Sequence, residues 1–149
     1  MQLSALNLFI PAHEAQAHAR KALAKISALQ DAEAELTDAG VITRGRVSLG
    51  LSVPFEALWQ VSLLATNEVV ITLERLKASV FGMGGDAMAD GLMKLLAKKL
   101  EPIAGVRVEG RVIRADASVV LKQQFNIELR GVLREVAVTR EGVSIKIAP

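Results

Sequence analysis

The chain has 149 residues, a formal net charge of +2 and a hydrophobic fraction of 51%, enough to form one domain, residues 1–149, whose core needs no staples. Aromatic residues make up only 3% and Tyr is absent, so that core is aliphatic. With no Cys, disulfides, thiolate nucleophiles and cysteine metal sites are excluded, and the near balance of charge speaks against a polyanion such as nucleic acid as partner.

The first residues, MQLSALNLFIPAHE, carry neither a basic leader nor a long apolar run and do not read as a signal peptide. No window approaches ~18 uncharged apolar residues, so no membrane span is expected. The expectation is a cytoplasmic protein. Residues 3–10 form a short apolar lead-in, either strand or the edge of a helix. Pro11 suits a first helical position, and 11–29 is expected to be helical. Its buried stripe consists of Ala12, Ala15, Ala19, Ala22, Leu23, Ile26 and Leu29, mostly alanine, which permits close approach to a neighbour.

From Ala32 the period changes to two. Residues 32–38, a turn at Asp38-Ala39-Gly40 and a second run over 41–53 predict a hairpin. In the second run Val41, Thr43, Gly45, Val47, Leu49, Leu51 and Val53 share the face expected to meet the core, opposite Arg44, Arg46, Ser48, Gly50 and Ser52. Gly45 and Gly50 mark places where the strand bends or another backbone presses close. Pro54 is expected to break the run. A new strand then alternates Ala57, Trp59, Val61, Leu63 and Ala65 against Gln60 and Ser62. After the turn Thr66-Asn67-Glu68, Val69, Ile71 and Leu73 occupy odd positions while Leu76, Ala78 and Val80 occupy even ones. Such a phase slip near Glu74-Arg75 predicts a β-bulge.

The stretch GMGGDAMADGLMKLLAKKL (82–100) is a glycine loop leading into an amphipathic helix. At about 100° per residue, Leu95, Met88, Leu92, Leu96, Ala89, Leu100 and Met93 fill one arc, with Asp90, Lys94 and Lys98 opposite. Lys99 falls within the apolar arc, so its stem is expected to be covered and its amine to reach solvent at the helix end. Asp86 is the expected N-cap and Pro102 the stop. Beyond it, 106–116 alternates as a strand, 117–125 is ambiguous and suits a short helix, and 127–140 reads as a strand that slips phase near Gly131-Val132. Glu141-Gly142 turns that strand into VSIKI at 143–147.

The chemistry-bearing residues are sparse. Gly82-x-Gly84-x-x-Ala87 has a loose dinucleotide spacing, but no Lys-Ser/Thr follows and no second βαβ unit is present. A flexible strand-to-helix connection suits these glycines better. His13 and His18 stand about 140° apart on a helix and cannot share a metal. The acids are dispersed among basic residues, with no nucleophile-base-orienter set. The expectation is therefore a protein that is not an enzyme and has neither a metal nor a cofactor. The strand arginines Arg44, Arg46, Arg107, Arg111, Arg114, Arg130 and Arg134 are interleaved with Glu109, Glu128 and Glu135 and lack stacking aromatics. That pattern reads as a solvated face.

The expected fold is α+β: a curved, largely antiparallel sheet, with an N-terminal helix and the central amphipathic helix packed on its concave face. The turn-strand VPFEALWQ, the connection EPIAGVRVEG and the final pair LRGVLREVAVTREGVSIKI give roughly residues 40–147 a layout that resembles small bacterial tubular lipid-binding (TULIP-like) domains. That resemblance implies an α/β wrap with an apolar slot for a lipid. The slot is expected between Met88, Leu92, Leu95 and Leu96 on the helix and Trp59, Val61 and Leu63 on the sheet, with Phe81 and Met83 at its mouth. The occupant would be a fatty acid, phospholipid or other hydrophobic small molecule. The competing expectation is a structural or interaction protein that uses its apolar surface to form a homo-oligomer such as a homodimer.

Overall fold

Period-two alternation over most of the chain produces strands. A computed structural model of the protein describes residues 2, 3, 5–48, 50–78 and 85–149, with backbone only at residues 2, 3, 85 and 86. The elements in chain order are β1 (Gln2–Leu3), β2 (Leu6–Pro11), α1 (Ala12–Ala24), β3 (Leu29–Thr37), β4 (Gly40–Ser48), β5 (Ser52–Ala65) and β6 (Glu68–Lys77). Then follow α2 (Gly85–Leu100), β7 (Val106–Glu109), β8 (Val112–Asp116), α3 (Ala117–Phe125), β9 (Glu128–Leu129), β10 (Val132–Thr139) and β11 (Gly142–Ala148). The class is α+β, as expected from the sequence.

The strands do not form one sheet. Six of them, in the order β3-β4-β5-β6-β8-β7, make an antiparallel sheet, while β10-β11-β2 make a separate antiparallel sheet of three. The expected strand over 127–140 is interrupted at Arg130-Gly131. Within its first part Glu128–Leu129, β9, pair in parallel with β1 instead. Asn126, at φ 53°, ends α3 in the left-handed conformation and redirects the chain there.

Local chemistry explains most boundaries. The helix expected over 11–29 ends at Ala24, because Lys25 caps it and tight turns follow, with Ile26 N–H bonded to the Leu23 carbonyl and Leu29 N–H to that of Ile26. Leu29 then begins a strand opposite Val47. Pro11 lies one place earlier than expected, as the N-cap residue and the last residue of β2. Helix α2 begins at Gly85, so Asp86 lies inside its first turn; the glycine loop at 82–84 falls outside the described residues.

Pro54 does not break the strand. The reversal comes just before it, and β5 runs through Pro54, opposite Arg46 of β4. On its other side β5 first meets β6 at Glu56, opposite Lys77, so no ladder hydrogen bond is required of the proline. The bulge expected in β6 is present: Leu58 pairs with Arg75 and Trp59 with Leu73, leaving Glu74 over. A second bulge in β3 interrupts pairing between Gln30 and Glu33, with Asp31 at φ 54°. Gly45 is the residue that lets it in, since a Cβ there would stand 3.0 Å from the Gln30 carbonyl and the Ala32 Cα.

One face of the six-stranded sheet carries Val47, Val53, Phe55, Ala57, Trp59, Leu73 and Ile113, all buried. They form a single cluster with Met88, Ala89, Leu92, Met93 and Leu96 of α2, which are five of the seven residues in the helix's apolar arc. Helix α1 lies beside β3 and reaches β2 and β11; its Gln16 side-chain carbonyl accepts from the Leu36 N–H at 3.0 Å. Leu51, expected to face the core, is 57% exposed because it falls in the reversal between β4 and β5. On the outer face Arg44 bridges Glu35 at 3.0 Å and Glu56 at 3.2 Å, and these partners hold its guanidinium above the ordinary arginine range, Glu35 most of all.

Candidate functional site

Alternation along β4 and β5 places Val41, Thr43, Phe55, Trp59 and Val61 on the α2 side of the sheet, and Ile71 of β6 and Ile113 of β8 continue that surface. The helix covers only part of it. Between this surface, one flank of α2 (Leu92, Leu96, Lys99, Leu100) and the end of α1 (Leu23, Lys25, Ile26) lies a partly open cavity of about 500 Å³. That volume is within the range of about 300–1,000 Å³ common for small-molecule sites.

The wall is aliphatic and aromatic, with few polar groups. Thr43 provides the only hydroxyl among the lining residues, and its Oγ1 accepts a hydrogen bond from Trp59 Nε1 at 2.9 Å. The indole N–H is thereby satisfied, so the indole face can meet an apolar occupant without leaving that donor unpaired. The ionisable lining side chains are Lys25 and Lys99, both exposed at their helix ends.

The residues expected to form a slot are only partly assembled here. Trp59, Val61, Leu92 and Leu96 line the cavity. Leu63 is half-buried further along β5, opposite Val69, and is not among the lining residues. Met88 is buried within the helix–sheet cluster, away from the cavity, and Leu95 packs against that cluster without lining the cavity. Leu92 and Leu96 share one flank of α2, while Met88, one turn earlier, is buried in the helix–sheet cluster and Leu95 is half-buried against it. Phe81 and Met83 lie outside the described residues.

Two parts of the wall were missed in the sequence. Phe55 continues the alternation of Val53 and Ala57, but the break assumed at Pro54 hid it. The end of α1 closes the cavity with Leu23 and Ile26, and Leu29 follows at the start of β3. Their signal was present, since these are the large apolar residues of an otherwise alanine stripe and all stand at one end of it.

Elsewhere several charged groups pair with one another. A polar recess of about 420 Å³ contains Glu68, Arg107, Arg114 and Asp116. Within it Arg114 Nη1 lies 3.2 Å from Glu68 Oε1, and Asp116 Oδ1 accepts from the Ser118 and Val119 N–H groups at 3.0 and 3.3 Å as the N-cap of α3. His13 and His18 are both exposed on α1, and among the described residues no three His, Asp or Glu side chains converge as a metal site. Among the described residues no helix is long and apolar enough to cross a membrane. No protein-family model matches this chain, and comparison with curated proteins and with solved structures likewise finds no match.

Proposed function

We propose that this protein binds a hydrophobic small molecule, a fatty acid or the tail of a phospholipid, without transforming it. The ligand occupies the space that α2 leaves on the concave face of a curved sheet. The observation that carries this reading is the apolar cavity of about 500 Å³ lined by Trp59, Val61, Leu92 and Leu96. A concave, mainly apolar cavity of this size is the usual form of a small-molecule site. The resemblance of the sequence layout to tubular lipid-binding domains supports the same ligand class.

The chain's single tryptophan lies in the wall and serves as reporter. Native mass spectrometry of freshly purified protein, followed by organic extraction, is expected to show a co-purifying lipid. Adding a saturated acyl ligand to delipidated protein should shift the Trp59 emission to the blue. Protein that extracts clean, with tryptophan emission unmoved by any acyl ligand, would refute this function.

A second reading, assembly with another copy of the chain, rests on β2. This strand is at the edge of the three-stranded sheet, and its Leu8 and Phe9 are 42% and 52% exposed. An unpaired apolar edge invites another strand. A ligand-free dimer that Leu8→Lys dissociates is the result that would favour it.

A further inference from the structure

We infer that the cavity takes a single-chain amphiphile with an anionic head, the head being held at the rim between Lys25 and Lys99. This rests on the ligand-binding reading above and extends it to the chemistry of the ligand and the residues that select it. The lining residues include no carboxylate, and their only ionisable side chains are these two lysines, one from each helix. A tail entering from this side therefore brings its head between two cations.

Neither lysine joins an ion pair among the described residues. By contrast, Arg44, Arg107, Arg114 and Arg130 of the strands and their connections all have glutamate partners. Lysines near a helix C-terminus commonly offset its partial negative charge. Lys25, the C-cap of α1, and Lys99, in the last turn of α2, occupy such positions, as do Lys21 and Lys98, but Lys21 and Lys98 do not line the cavity. Lys25 and Lys99 are the pair whose stems lie along the apolar wall, with amines free to reach outward.

The volume argues for one chain. A cavity of about 500 Å³ lies within the range of about 300–1,000 Å³ of sites that take one small molecule. Such a space suits a single acyl tail. Carboxylate and phosphate monoester heads share the required chemistry.

The test displaces the neutral probe N-phenyl-1-naphthylamine, read by energy transfer from Trp59, with four ligands of equal tail: dodecanoate, dodecyl phosphate, dodecanol and dodecyltrimethylammonium. Two exposed ion pairs are worth about a factor of ten in affinity, so the anions should displace the probe about ten-fold better than the alcohol, and the cation worst. A preference for dodecanoate identifies a carboxylate head and a preference for dodecyl phosphate a phosphate head; equal strength assigns the rim to either anion. The double variant Lys25→Gln/Lys99→Gln should lose the preference for the anions over the alcohol, while Lys21→Gln/Lys98→Gln, outside the wall, should retain both probe binding and the preference. Probe binding with equal displacement by acid and alcohol, or an anion preference surviving in the Lys25/Lys99 variant, overturns the head-group assignment alone. Absence of probe binding overturns the cavity reading and this inference with it.

Discussion

Enlarging Leu92 tests whether the space beside α2 is real. Leu92 is 3% exposed, yet it borders the cavity, whereas Met88, one turn earlier and 6% exposed, lies in the filled cluster away from it. In a closed core, insertion of a larger side chain forces neighbours off their rotamers and costs about 1–3 kcal/mol. Met88→Trp should show that loss, which for a chain of this size lowers the melting temperature by roughly 2–4 °C per kcal/mol. Leu92→Trp extends the ring into a space of about 500 Å³ and should stay within about 1 kcal/mol of the parent. Leu92→Ala should cost about 2–5 kcal/mol, because Leu92 is also part of the buried cluster. Thermal unfolding of the three variants is measured beside titration with a fluorescent fatty acid, whose uptake Leu92→Trp should block. Destabilisation of Leu92→Trp equal to that of Met88→Trp, together with no probe binding to the parent, would refute both the cavity and the reasoning built on it.

Three further substitutions test the frame that holds the site. Gly40 has φ 137°, and a Cβ on it would run into the Trp59 carbonyl; Gly40→Ala should cost more than about 2 kcal/mol, seen as a lower melting temperature with altered Trp59 emission. Asn67, at φ 60°, accepts from the Leu133 N–H through Oδ1 at 2.8 Å and from the Ala117 N–H through its main-chain carbonyl at 2.8 Å. Asn67→Ala should therefore lose about 2–3 kcal/mol in denaturant unfolding, and Asn67→Gly, which removes only the side-chain bond, about 1–2. Asp116→Ala removes the cap of α3 and should cost about 1 kcal/mol, while Asp116→Asn keeps the melting temperature close to the parent.

Much of the local architecture was legible because it depends on near neighbours in the chain. Alternation marked the strands, the arc of α2 named Met88, Ala89, Leu92, Met93 and Leu96 as its buried face, and the phase change at Glu74 located the bulge in β6. Side-chain period and turn chemistry are properties of a few consecutive residues, so they survive without knowledge of the fold. Pro54 shows the limit. Its effect depends on whether a neighbouring strand needs its N–H, and only the length of β6 decided that it does not.

The cavity belongs to the same class of non-local outcome. Sequence placed Trp59, Val61, Leu92 and Leu96 on facing surfaces, and Lys99 within an apolar arc, but it gave Met88 and Leu95 equal standing with them. Separating lining residues from packed ones required the position of α2 across the six strands and the turn that brings Leu23, Lys25 and Ile26 against the opening. Whether two apolar faces close on each other or leave a space is set by the offset between elements far apart in the chain. Hydrophobic burial is non-directional and fixes that offset only through the packing of the whole fold.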